Sequence, residues 1–192
     1  MRLLSLFAAA ALVAAPIAAA PVAAAAQTVV PVDKFTAVEL HGGGNITIRQ
    51  GPVQRVTLVR GDPNRARFHV SGGKLVMSPC DGWCFGPNHF DVEIETPELN
   101  GAGIMGGGRI IAEGNFPAQG AVSAVIHGGG DIDLRTVPSQ SAQAAIHGGG
   151  KIYVAAQSSL DASIFGGGLI RYAGHPSVNS SIHGGGSVAQ LN

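Results

Sequence analysis

Ile126-His127-Gly128-Gly129-Gly130-Asp131-Ile132 sets out a pattern of apolar residue, side chain, three glycines, side chain and apolar residue that the chain repeats six times. The other copies run Leu40 to Ile46, Ile104 to Ile110, Ile146 to Ile152, Ile164 to Ile170 and Ile182 to Val188. Their first glycines, Gly42, Gly106, Gly128, Gly148, Gly166 and Gly184, are spaced by 64, 22, 20, 18 and 18 residues. Self-similarity at a near-constant period marks a repeat architecture, because a unit this short cannot bury its own apolar face and must stack on neighbours.

Aligning the last five copies predicts which side chains turn inward. One column reads Ile104, Ile126, Ile146, Ile164, Ile182, and two residues earlier stand Ala102, Ala124, Ala144, Ala162, Ser180. After the glycines come Ile110, Ile132, Ile152, Ile170, Val188, then Ala112, Leu134, Val154, Tyr172, Gln190. All share one parity, so they lie on one face of extended chain. The opposite parity is polar and variable, with Arg109, Asp131, Lys151, Leu169 and Ser187 in one column. Each copy reads as two half-buried strands bent at the glycines, and parallel stacking of copies about 4.8 Å apart closes the apolar columns into an interior. The expected fold is all-β, a right-handed parallel β-helix forming a single-domain solenoid with 18 to 22 residues per rung in its C-terminal half. No stretch after the first 26 residues has helical periodicity.

In that register the first and third glycines of each triplet are the structural corners: Gly42 and Gly44, Gly106 and Gly108, Gly128 and Gly130, Gly148 and Gly150, Gly166 and Gly168, Gly184 and Gly186. Parity assigns both to a crowded interior where no side chain fits. The same triplets argue against two enzyme motifs. His-Gly-Gly-Gly imitates an oxyanion-hole stretch, but it recurs four times and no Gly-x-Ser-x-Gly elbow accompanies it. Gly101-Ala102-Gly103-Ile104-Met105-Gly106 has dinucleotide-binding spacing, but it runs into another glycine corner rather than a helix.

Residues 1–26 read as a signal peptide, with Arg2 ahead of an apolar run and Ala24-Ala25-Ala26 before Gln27. Pro16 and Pro21 break the apolar run, so no transmembrane segment is expected in the mature chain, residues 27–192. Without Arg2 the charged set is 11 basic against 12 acidic residues, which suggests neither nucleic acid nor an anionic membrane as a partner. Cys80 and Cys84 are the only cysteines, and in an exported chain so close a pair is expected to form a disulfide; a metal site that recruits His89 is the alternative.

The run Phe35-Thr36-Ala37-Val38-Glu39-Leu40 into Gly42-Gly43-Gly44-Asn45-Ile46-Thr47-Ile48-Arg49-Gln50-Gly51, then Val56-Thr57-Leu58-Val59 and Gly61-Asp62, resembles the opening of the head GIN domain of auto-transporter adhesins. The ending Gly166 to Val178, with its Tyr172-x-Gly174-x-Pro176 turn, is similar to that family's final rungs. The resemblance spans about Val32 to Gln190. It implies a single-domain, exported, right-handed β-helix and transfers no catalytic or binding residue. The chain departs from the family pattern with His41, His127, His147 and His183 where relatives carry serine-glycine repeats, and with the cysteine loop at 79–90.

Those departures are where a specialised site is expected. His127, His147 and His183 fall in one outward column with Met105 and Phe165, either as a ladder of flat rings or as metal ligands. Protonated imidazoles on adjacent rungs would repel, which adds a weak pH sensitivity. In the loop, Trp83, Phe85 and Phe90 are the candidate partner surface, the alternative being that they cap the coil. Asp131 and Asp133 beside Arg109, Lys151 and Arg171 read as a solvated charge ladder rather than paired catalytic carboxylates.

The functional expectation is a non-catalytic binding or adhesion module of the cell envelope, periplasmic or at the cell surface, whose partner is an envelope protein or polysaccharide. Nothing calls for a cofactor. The open ends of the stack leave self-association as a further expectation. The alternatives are a carbohydrate-active β-helix enzyme and a histidine-ladder metal-binding protein.

Overall fold

The structure, a computed structural model, describes residues 27–82 and 90–191, and its regular elements are all strands. The expected signal peptide, and Trp83, Cys84 and Phe85, lie outside the described residues. In chain order the strands are β1 (Thr28–Val30), β2 (Ala37–Gly42), β3 (Asn45–Gln50), β4 (Arg55–Arg60), β5 (Arg67–Ser71), β6 (Lys74–Ser78), β7 (Asp91–Thr96), β8 (Gly101–Gly106), β9 (Arg109–Glu113), β10 (Gln119–Gly128), β11 (Asp131–Gly148), β12 (Lys151–Gly166), β13 (Leu169–Ala173), β14 (Ser177–His183) and β15 (Ser187–Gln190). All belong to one 15-stranded sheet. No helix among the described residues is long and apolar enough to cross a membrane.

Strands that lead into a glycine triplet pair with one another in parallel, and so do strands that leave one. Ile126 on β10 lies opposite Ile104 on β8 and Ile146 on β11, and Ile146 lies opposite Ile164 on β12. On the other side of the corner Ile132 pairs with Ile110 and with Ile152. The molecule thus has a leading face (β2, β8, β10, the second part of β11, the second part of β12, and β14) and a trailing face (β3, β9, the first parts of β11 and β12, β13 and β15). The predicted inward columns fill the space between them: Ile104, Ile126, Ile146, Ile164, Ile110, Ile132, Ile152 and Ile170 are fully buried. A buried isoleucine of this kind contributes about 1.5–3 kcal/mol over its exposed state.

Register is fixed at the glycines and yields at the opposite corner. The β11–β12 pairing shifts between Leu134 and Pro138 and again between Ser139 and Ser141, where the longer turn must absorb extra residues. The first long spacing has a different cause. β6 and β7 form a layer of their own beneath the β2–β3 layer, with Met77 opposite Leu40 and Val92 opposite Ile46. The chain therefore lays down its second layer first, drops back to build the layer below, and then passes over both to β8. Antiparallel strands finish that end: β5 on β6, and β4 on β7 with β1 beyond it. At the far end, among the described residues, β14 pairs only with β12 and β15 only with β13.

In the β6–β7 layer no glycine triplet separates the two strands. The Asn45 N–H donates to the carbonyl of Phe90 at 2.8 Å, just as Arg109 N–H donates to Gly44 at 2.8 Å one layer on. Phe90 thus occupies the third-glycine position. A side chain is accommodated there because the strand beneath, β5, is antiparallel and brings Phe68 rather than another glycine corner against it. This corrects the sequence expectation for Phe90, which is 1% exposed, belongs to the core and packs on Phe68 with ring centroids 5.8 Å apart. It is no part of a solvent-facing partner surface.

Candidate functional site

The corner itself offers no ligand cradle, because its backbone groups are committed to neighbouring layers. The carbonyl of Gly106 accepts from Gly129 N–H at 2.8 Å and that of Gly108 from Asp131 N–H at 3.0 Å; the same pair of bonds recurs at Gly128 and Gly130 with Gly149 and Lys151. The structure also separates the two glycines that parity had grouped together. A Cβ on Gly128 would stand 2.5 Å from the Gly106 carbonyl oxygen, and its φ is +113°, so the obstacle is the backbone of the layer below rather than the interior. On Gly150 a Cβ would meet both the Gly130 carbonyl at 2.7 Å and the Ile126 side chain at 3.2 Å, so the third glycine does face inward. The middle glycine is free, with nothing within 4 Å of a Cβ on Gly149.

Immediately before the corner, in-register pairing superposes the outward residues of the leading face. His127 and His147 stack at 4.7 Å with planes 4° apart, His147 and Phe165 at 5.2 Å and 5°, Phe165 and His183 at 4.8 Å and 2°. Imidazole lone pairs lie in the ring plane, so parallel stacked rings aim them side by side, not at a common point between the rings as shared metal binding would require. Among the described residues no group of three or more His, Cys, Asp or Glu side chains stands together as a metal site. What the ladder presents outward is a row of ring edges at layer spacing.

Beside the ladder the leading face is hollow, because the next outward column, Gly103, Val125, Ala145, Ser163 and Ser181, is small. A cavity of about 360 Å³ lies over Gly101 and Gly103 of β8, walled by Glu39, Lys74, Met105 and His127. A second, of about 300 Å³, continues along the stack over Ala145 and Ser163 toward Asn179 and Ser181. Ser123 and Val125 line both, so the two are parts of one trough running beside the ring ladder. The glycines of β8 deepen it: a Cβ on Gly103 would come 3.3 Å from Glu39 Cγ.

The trough carries Asp161 in its second half, where Asn179 Nδ2 donates to it at 3.2 Å, and a charged cluster at its other end. There Glu39 accepts from Lys74 Nζ at 2.5 Å and pairs with His41 Nε2 at 2.5 Å. Burial alone would push the Glu39 carboxyl up, but the hydrogen bonds and charges of Lys74 and His41 hold it below its usual range. His41 is thereby engaged with Glu39 and takes no part in the ring stack.

On the trailing face several of the outward residues are charged and pair with each other. Arg109 reaches Asp131 at 3.0 Å, Arg49 bridges Glu93 at 3.3 Å and Glu113 at 3.2 Å, and Arg60 pairs with Asp91 at 2.8 Å. Arg135 holds Asp133 through its Nε at 2.9 Å and lies over the Tyr153 ring at 5.0 Å. Asp131 and Asp133 are both tied to arginine, which leaves no free carboxylate pair there for acid–base work.

A model of the family described as putative auto-transporter adhesin, head GIN domain, matches residues 34–121 and 118–176. The chain belongs to this family. Solved structures with similar folds include a putative adhesin from Bacteroides fragilis, 17% identical with a TM-score of 0.52, covering 86% of this chain and 96% of that one. A putative adhesin from Parabacteroides merdae is 15% identical with a TM-score of 0.39, over 87% and 96% of the two chains. The first likeness is one of fold. None of the curated proteins matches the sequence.

Within this head GIN domain the sequence-derived site residues separate into two groups. His127, His147 and His183 come together with Phe165 on the leading face. Cys80 is buried at the base of the loop, and its expected partner Cys84 is outside the described residues. Sequence reasoning missed the trough. Its signal was the other outward column, Gly103, Val125, Ala145, Ser163 and Ser181, whose common feature is small size rather than any reactive group.

Proposed function

We propose that this protein is a non-catalytic, adhesion-type module that holds an extended, hydroxyl-rich envelope polysaccharide along its leading face. The observation that carries this reading is the trough beside the ring ladder, a linear, rigid groove with hydrogen-bonding side chains at layer spacing. Ser123, Gln143, Ser163, Asn179 and Ser181 offer donors and acceptors to a polymer lying along the stack. The imidazole edges add more, whereas their flat faces are already covered by one another and do not stack on sugars except at the ends of the ladder.

A rigid face suits this role because it is already ordered, so binding costs little conformational entropy. We take the scaffold to be a parallel β-helix of the right hand, the hand that parallel crossover connections adopt in nearly all cases. Support comes from the parallel in-register pairing of successive layers. Residues 27–192 form the single domain and residues 1–26 the export signal, which directs the protein to the periplasm or the cell surface. Cys80 and Cys84 close a disulfide.

The test is a panel of envelope polysaccharides assayed in parallel for binding and for chain cleavage. Saturable binding with the polymer recovered intact is the expected result. Turnover of any bound polymer would overturn the non-catalytic reading, and failure to bind any of them would overturn the choice of partner.

A further inference from the structure

The two ends of the stack are finished differently. At the first layer, antiparallel β5 covers β6 and antiparallel β4 and β1 cover β7. The edge strands there are blunted as soluble sheet proteins blunt theirs: β1 is three residues long, and β5 begins at Arg67, which pairs with Asp81 at 3.5 Å. At the last layer no other strand among the described residues covers β14 and β15. The inward columns that are fully buried elsewhere reach solvent in Val178, 38% exposed, and Ile182, 41% exposed. From Tyr172 to Asn192 there is no Asp, Glu, Lys or Arg, so the edge carries none of the charges that ordinarily prevent strand pairing.

We propose that this open end is a self-complementary interface, through which two copies of the chain associate about a two-fold axis at Ser180 of β14. An antiparallel pairing centred on Ser180 engages all of Ser177–His183 and sets Ser177 against His183 of the second copy. Inward parity is preserved, so Val178 of each copy meets Ile182 of the other, and Ser180 meets its own equivalent. Registers with the axis moved to Val178 or Ile182 keep the parity but leave part of the strand unpaired. Asn179 then lies opposite Ser181, an uncharged polar pair on the outward side. A second copy fits this edge because it supplies the same absence of charge, the matching apolar column and a free strand of the same length. The capped end offers at its edges only the three-residue β1 and the arginine-bearing β5, neither a strand of matching length, so the contact is isologous and closes at two subunits rather than growing into a filament.

The footprint sets the strength. A strand of seven residues spans about 23 Å, and facing sheets about 10 Å apart with outward side chains adding roughly 5 Å on each side make the end about 20 Å wide, so each copy covers on the order of 500 Å². That total of about 1,000 Å² sits at the lower bound for a specific interface, so the dissociation constant should fall in the range of about 1–100 μM.

Sedimentation equilibrium of the purified protein over that concentration range should show a monomer–dimer equilibrium and no larger species. Ile182→Lys, at an exposed position on the last layer, should weaken it at least tenfold while circular dichroism and thermal unfolding stay near wild type. Under mild oxidation Ser180→Cys should trap a covalent dimer, since cross-strand partners lie within disulfide reach. Asn179→Cys should not, because its equivalents lie more than about 7 Å apart in this register. A protein that stays monomeric throughout overturns the proposal. So does a dimer unaffected by Ile182→Lys, cross-linking of Asn179→Cys as efficient as that of Ser180→Cys, or growth into longer oligomers.

Discussion

The leading and trailing faces are made from the same repeat, share one interior and meet at the same glycine corner, yet they treat solvent in opposite ways. On the trailing face long charged side chains reach across layers and satisfy one another, as with Arg109 and Asp131 or Arg49 between Glu93 and Glu113. On the leading face one outward column is small and forms the floor of a trough, and the rings beside it are stacked in a single line. The difference teaches that stacking alone does not demand charge on the outside. Where the floor is lowered to glycine, alanine and serine, the sheet keeps a groove open, which a solvated surface has no need to do.

The largest effect should come from the element that both faces share. Gly128→Val puts a branched side chain against the Gly106 carbonyl at a φ of +113°, so it should cost about 4 kcal/mol or more and abolish cooperative unfolding on both faces. Gly149→Val, which meets nothing within 4 Å, should melt within a few degrees of wild type. Equal behaviour of the two variants in thermal unfolding would break the corner account.

Next, Phe165→Ala removes the ring between His147 and His183 and should cost about 1–2 kcal/mol, read by chemical denaturation. Arg109→Ala, its counterpart on the trailing face, should cost under about 1 kcal/mol, because an exposed ion pair is screened and repaid by water. The reverse order of these two would mean that the charge ladder, not the ring ladder, stiffens the stack.

The smallest effect concerns pH. Glu39 has its folded pKa held below the ordinary 4.5, so its contribution is present above that value and is lost as pH falls through the lowered one. Glu39→Gln should therefore flatten the acid limb of the stability profile below about pH 4.5 and leave the neutral region nearly level. An unchanged acid limb would show that the pairing with Lys74 and His41 adds nothing to stability.

Much of this was legible because the repeat writes its inward columns twice per layer; Ile126 and Ile132 could be placed from parity alone. The order of layers was not legible. β6 and β7 lie beneath β2 and β3 although they follow them in sequence, and no local pattern marks a long-range pairing. Phe90 was misread for that reason: in a loop rich in aromatics it looks exposed, and only its position on the lowest corner makes it core. The trough was hidden for the opposite reason. Gly103, Val125 and Ser163 are visible in the alignment, but small side chains signal chemistry only once the taller wall beside them is known.

The most direct test of the leading face as the binding face is a titration of one bound polysaccharide with wild type, Val125→Arg and Lys151→Ala. Val125 lines both halves of the trough, and Lys151 is an exposed residue of the trailing face. Affinity should fall at least tenfold in Val125→Arg, with unfolding unchanged, and stay within twofold in Lys151→Ala. Full affinity in Val125→Arg, or a loss confined to Lys151→Ala, would contradict the account.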